Sequence, residues 1–133
     1  MFTYKTTVKM HDTDAAGVLF FGNQFKMIHD AYEEMIERLG VGFATILKKT
    51  DFFVPIVHAE ADYKTPLFVG DKITVKIRLA RVGKSSFAFS YVLLGKNNKI
   101  VGTAKTVHVT TNQKTKKKIP LPDKIRLALK KMD

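Results

Sequence analysis

Between Lys72 and Thr111 the chain adopts a period of two and holds it through three consecutive segments, which restricts the fold more than any other feature. In the first segment Ile73, Val75, Ile77 and Leu79 alternate with Lys72, Thr74, Lys76 and Arg78, placing the apolar side chains on one face of a strand. Gly83 to Ser85 punctuates, Phe87 to Leu94 is the second strand, Asn97-Asn98 is a hairpin signal, and Ile100 to Thr111 is the third. Long strands joined this closely pair antiparallel, and their shared apolar face needs a cover.

The cover lies upstream. After Asn23, apolar residues fall at Ile28, Ala31, Tyr32, Met35 and Leu39, while Lys26, Asp30, Glu33, Glu34, Glu37 and Arg38 fill the other face, the pattern of an amphipathic helix. Asn23 is read as its N-cap and Gly40 as its C′ residue, with Glu34 and Arg38 as an i,i+4 pair. Tyr4, Thr6, Val8 and Met10 alternate with Thr3, Lys5, Thr7 and Lys9 in a first strand, and Pro55 to Tyr63 reads as another. Phe43 to Lys49 is a short second helix, Asp51 to Phe53 a connection, Pro66 to Asp71 a turn, and Asp123 to Met132 a closing helix. The layout is α+β, with an antiparallel sheet of about five strands wrapped around one central helix.

A chain of 133 residues with 45% hydrophobic content suits a single domain over residues 1–133. No stretch approaches a membrane span and no signal-peptide core precedes Lys9, so a soluble, cytoplasmic protein is expected. The absence of cysteine excludes disulfides, thiolate zinc sites and a cysteine nucleophile. His11, His29, His58 and His108 have no metal-ligand spacing, and no metal or other cofactor is expected. The net charge of +11 points to a polyanionic partner, either a phosphate-bearing small molecule or nucleic acid. Nineteen of the 23 basic residues are lysine, so the bidentate donors that read base edges are scarce. Lys114 and Lys116 to Lys118 are read as a solvated tail that could also serve a phosphate.

The run from Asp12 through Asp14 and Gly17 to Asn23 sets two carboxylates and a glycine turn ahead of the helix. Such a run is either a solvated capping turn or a place where a carboxylate meets a ligand near unpaired helix N–H groups. Phe21 and Phe53 are read as either core or the wall of an aromatic pocket, Phe43 as core, and His58 as facing either way. Gly83-Lys84-Ser85 lacks the upstream glycine of a nucleotide loop, since position 78 is Arg78, and no Gly-x-Ser-x-Gly is present.

Asp12 to Phe21, then Pro55-Ile56-Val57, Asp62-Tyr63, Pro66-Leu67, Gly70-Asp71 and Gly83 to Phe87 together resemble the hotdog-fold acyl-CoA thioesterases of the 4-hydroxybenzoyl-CoA thioesterase type. With His29, Ala31-Tyr32-Glu33 and Ile56 to Ala59, the likeness is closest to the 1,4-dihydroxy-2-naphthoyl-CoA hydrolases of quinone biosynthesis. The resemblance implies hydrolysis of a thioester to a carboxylic acid and free coenzyme A without a cofactor. It makes Asp14 the catalytic carboxylate, as nucleophile or general base. Gly17, Phe21, Asn23, Phe53, Val54 and His58 become substrate contacts, with oxyanion donors sought among the amides from Gly17 to Asn23. Arg81, Lys84, Ser85 and Ser86 would meet coenzyme A. It further implies a homodimer or homotetramer with each site between subunits, and no nucleic-acid or membrane partner. The alternatives are a non-catalytic hotdog module that binds acyl-CoA or acyl-carrier protein, a thioesterase for short aliphatic acyl groups, and a basic nucleic-acid-binding domain.

Overall fold

The computed structural model describes residues 1–132. The period-two region folds into three strands, β4 (Lys72–Val82), β5 (Ser86–Leu94) and β6 (Ile100–Val109), each antiparallel to the next. β1 (Phe2–Thr7) pairs with β4, and β3 (Ile56–Tyr63) pairs with β6, giving the sheet order β1-β4-β5-β6-β3. The β5–β6 turn fits its sequence: Asn97 and Asn98 both take positive φ, 58° and 57°, which asparagine tolerates better than most residues.

The central helix α1 runs from Asn23 to Arg38 and buries Gln24, Met27, Ile28, Ala31, Tyr32, Met35 and Ile36. They pack against Ile73, Val75, Ile77, Phe89, Tyr91 and Leu93 in one core, where each fully buried large apolar side chain contributes about 1.5–3 kcal/mol. The sheet wraps this helix in the hotdog arrangement. α2 (Phe43–Lys49) and α3 (Asp123–Lys130) flank it, and no helix among the described residues is long and apolar enough to cross a membrane.

Several details differ from the sequence reading: the first strand ends at Thr7, and Met10–Asp12 instead forms a 3-10 turn that brings Asp12 N–H to the Lys9 carbonyl at 2.9 Å. Asn23 is the first residue of α1 and Gly22 its N-cap; the Asn23 amide instead reaches back to donate to the Asp12 carbonyl at 2.8 Å. Phe52–Phe53 is a strand, β2, because it pairs with β7 (Thr111–Asn112) in a two-stranded sheet. The last long strand therefore ends at Val109. Phe43 is half-buried at the core margin, stacked on His29 with ring centroids 5.8 Å apart.

β3 is exposed along nearly its whole length, on both faces, and only one of its edges is paired. Ile56 and Val57 are exposed apolar residues on it. An open edge of this length offers a row of backbone groups for pairing with another strand.

Candidate active site

The two aspartates two residues apart have different surroundings. Asp12 is 5% exposed. Its Oδ2 accepts the Lys9 N–H at 2.9 Å and its Oδ1 accepts the Lys26 ammonium at 3.0 Å. Burial opposes its charge, but the Lys9 amide and Lys26 outweigh that and hold the carboxyl below the usual range. Asp12 therefore fixes the loop onto α1.

Asp14 is exposed. Its Oδ1 accepts the Ala16 N–H at 2.9 Å and the Val18 N–H at 3.4 Å, while no group among the described residues donates to Oδ2. The turn closes through Gly17 N–H to the Asp14 carbonyl at 3.0 Å and Asp14 N–H to the Val18 carbonyl at 2.9 Å. Gly17 has φ +78°, a conformation that costs a side-chain-bearing residue roughly 1–2 kcal/mol. The carboxylate is thus oriented through one oxygen and open at the other.

Free backbone donors on the loop that follows are few. The amides of Gly17, Val18, Leu19, Phe20 and Asn23 all have acceptors within the chain, whereas those of Phe21 and Gly22 have none among the described residues. These two N–H groups lie just ahead of α1, where the helix dipole favours negative charge. A cleft of about 280 Å³ opens at Phe21, with Val18, Leu19, Gln24 and Tyr63 also in its wall. Phe21 is 65% exposed. It packs edge-on to Tyr63 at 6.5 Å, and its carbonyl accepts the Tyr63 hydroxyl at 2.8 Å. Phe21 is therefore cleft wall rather than core. Asn23, bonded to Asp12, supports the loop from behind.

Gln24 carried no sequence signal beyond its register, one turn ahead of Ile28 on the buried stripe. Only 1% exposed, it donates from Nε2 to the Asp62 carbonyl at 3.2 Å and the Thr103 carbonyl at 3.1 Å. It ties the start of α1 to β3 and β6. A Cβ at Gly102 would stand 2.7 Å from the Gln24 Oε1, so this position needs glycine for close approach rather than for a special φ.

The remaining predicted contacts sit elsewhere. Lys84 and Ser85 lie in the β4–β5 turn, flanked by Arg81 near the end of β4 and Ser86 at the start of β5, with Arg81 Nη1 donating to Ser86 Oγ at 3.2 Å. Arg126 on α3 steadies this turn from below, reaching the Gly83 and Lys84 carbonyls at 3.3 and 3.2 Å. Phe53 and Val54 are half-buried, with the Lys116 ammonium 4.8 Å from the Phe53 ring centroid. His58 is exposed on β3, 3.0 Å from Glu60. Ser86 is level with Val109, and Val109 N–H donates to Pro55, so the turn and the start of β3 share one end of the sheet. Asp14 and Phe21 belong to the other end, beside Tyr63 and its partner Gly102. Seven residue steps along β6, from Gly102 to Val109, separate the two levels, roughly 23 Å at about 3.3 Å per residue. Within one chain the two sets do not meet.

Residues 8–129 match the family described as the thioesterase-like superfamily. The 1,4-dihydroxy-2-naphthoyl-CoA hydrolase of Crocosphaera subtropica is 35% identical over 121 residues, covering 90% of this chain and 88% of its own length. The crystal structure of a 1,4-dihydroxy-2-naphthoyl-CoA thioesterase from Synechocystis superposes with TM-score 0.92 at 31% identity, covering 99% of this chain and 97% of that one. A gentisyl-coenzyme A thioesterase structure follows with TM-score 0.84 at 26% identity, covering 93% and 98%.

Proposed function

The chain belongs to the thioesterase-like superfamily and is a thioester hydrolase acting on acyl-CoA, and from that premise we propose that its substrate is 1,4-dihydroxy-2-naphthoyl-CoA and that Asp14 carries the reaction. The observation that supports this best is a carboxylate oriented through Oδ1 and free at Oδ2, on the same short loop that leads into the unclaimed Phe21 and Gly22 N–H groups ahead of α1. A thioester carbonyl set against those N–H groups has its developing negative charge stabilised. Losing one such donor typically costs about 2.7–4 kcal/mol of barrier. Asp14 Oδ2 then either attacks the carbonyl carbon or takes a proton from the attacking water. On either route water supplies the hydroxyl of the acid and the proton of the departing thiol. The Phe21 and Tyr63 rings at the cleft suit a flat aromatic acyl group.

The site is completed by a second copy. Antiparallel pairing of β3 with its symmetry mate about a two-fold axis sets the start of one strand beside the end of the other. The partner copy's β2–β3 segment and β4–β5 turn then approach the Asp14 loop, and the separation of roughly 23 Å along one chain ceases to matter. In this assembly Phe53, Val54 and His58 border the acyl group from across the interface. Lys84, Arg81, Ser85 and Ser86 face the phosphates of coenzyme A. We place the activity in the cytoplasm and the assembly as a dimer or a dimer of dimers.

Thiol release measured across 1,4-dihydroxy-2-naphthoyl-CoA, benzoyl-CoA, short aliphatic and long-chain acyl-CoA esters tests the substrate. The highest kcat/KM is expected for the naphthoyl ester. A preference for an aliphatic ester would remove the assignment while leaving the hydrolase standing.

A further inference from the structure

A second cleft opens at the same end of the sheet as Asp14 and plays no part in the chemistry above. It encloses about 410 Å³, within the roughly 300–1,000 Å³ of small-molecule sites. Pro66, Leu67, Ile73 and Val101 give it apolar walls, and Lys72, Lys96 and Lys99 stand around them. None of these three ammonium groups has a carboxylate within 4.0 Å among the described residues. The one acid in the wall, Asp71, is engaged through Oδ2 by the Phe68 N–H at 2.8 Å. Two of the lysines belong to a turn fixed by Gly95 N–H to the Lys99 carbonyl at 2.8 Å and Lys99 N–H to the Lys96 carbonyl at 3.2 Å.

An apolar trough lined by three lysines that have no carboxylate partner among the described residues suits a ligand with an apolar body and an anionic end. The wall also leads to the active site. Thr65, Pro66 and Leu67 line both clefts. Leu67 is buried where the cleft wall meets the core, its carbonyl accepts the Leu19 N–H at 2.8 Å, and Val18 bridges to Phe68. Val18 in turn holds Asp14 by two hydrogen bonds. We propose that this second cleft is an effector site for apolar carboxylates of about bicyclic aromatic size, and that its occupancy shifts the Leu67 segment and with it the Asp14 loop. Both ligands bias one shared element, as coupling between sites requires.

The test uses 2-naphthoate as the probe and the double variant Lys96→Glu/Lys99→Glu, whose positions lie outside the catalytic cleft. Titration followed by amide chemical shifts is expected to move residues 65–73 and 95–101, with an affinity at least tenfold weaker in the variant. The neutral amide, 2-naphthamide, should bind the wild-type protein at least tenfold more weakly than the acid. Without naphthoate the variant should release thiol within about twofold of wild type, showing an intact fold. With naphthoate kcat should change in wild type and not in the variant. Equal affinity of variant and wild type, shifts confined to residues 18–24, no saturable binding at millimolar probe, or binding without any change in kcat would each overturn the proposal.

Discussion

His108 offers a stability prediction whose size follows from the structure. Its side chain is 0% exposed, with Nε2 2.7 Å from Thr106 Oγ1, which lies 2.8 Å from the Tyr91 hydroxyl. Nδ1 has no partner. The Phe87 ring stacks parallel at 5.0 Å, and the Tyr32 and Phe89 rings lie at 4.8 and 5.1 Å. Burial, then the nearby His29, pushes the imidazole from 6.5 down to about 4. Below pH 6.5 the unfolded chain binds a proton that the folded chain refuses until about pH 4. Stability is therefore untouched above pH 6.5, falls as pH falls through this window, and levels off near its lower end. A pKa difference of about 2.5 corresponds to about 3 kcal/mol. Urea unfolding at fixed protein concentration, from pH 7 to pH 4, measures it in wild type and His108→Leu, which nearly conserves volume and cannot titrate. The variant's stability should change about 3 kcal/mol less over that range. Absolute stability is not the readout, since Thr106 loses a partner. Identical pH dependence in the two proteins would show that His108 does not take up the proton on unfolding.

Gly102→Ala puts a methyl group 2.7 Å from the buried Gln24 amide and should destabilise the fold by about 1–3 kcal/mol; denaturant melts check this, and an unchanged midpoint would mean that α1 yields there. Asp12→Asn weakens the contacts to Lys9 and Lys26 and should cost about 1–3 kcal/mol at neutral pH. Because the Asp12 pKa is lowered in the folded state, that contribution is present above pH 3.8 and lost below it, so the variant's acid limb should flatten in chemical melts. Val57→Asp places charge on the open edge strand and should lower the assembly state seen by sedimentation, with turnover falling in parallel. A variant monomer with full turnover would show that one chain suffices.

The alternation in Lys72–Leu79 and the apolar stripe of α1 were legible because burial on one face writes itself into the local sequence. The Asn97-Asn98 turn was equally plain, since few residues accept its backbone. Phe52–Phe53 was not, because its strand character comes from pairing with Thr111 and Asn112, far along the chain, and two residues carry no period. The spacing of Asp12 and Asp14 is silent on which is buried; Lys26, one turn into α1, decides it. Asn23 looked like a cap because its side chain can accept an N–H, yet it donates to Asp12 instead. Gln24 was invisible as a polar residue in an apolar register whose partners lie 38 and 79 positions away. The distance between the Asp14 loop and the β4–β5 turn emerged only with the strand order.

The claim that Asp14 performs the hydrolysis is tested most directly by Asp14→Asn, assayed for thiol release from 1,4-dihydroxy-2-naphthoyl-CoA beside wild type. Asparagine keeps the Oδ1 contacts to Ala16 and Val18 and removes the anionic oxygen. Turnover should drop by at least about 10²–10⁴-fold with the thermal midpoint unchanged. A variant that folds normally and keeps more than about a tenth of wild-type kcat would contradict the account.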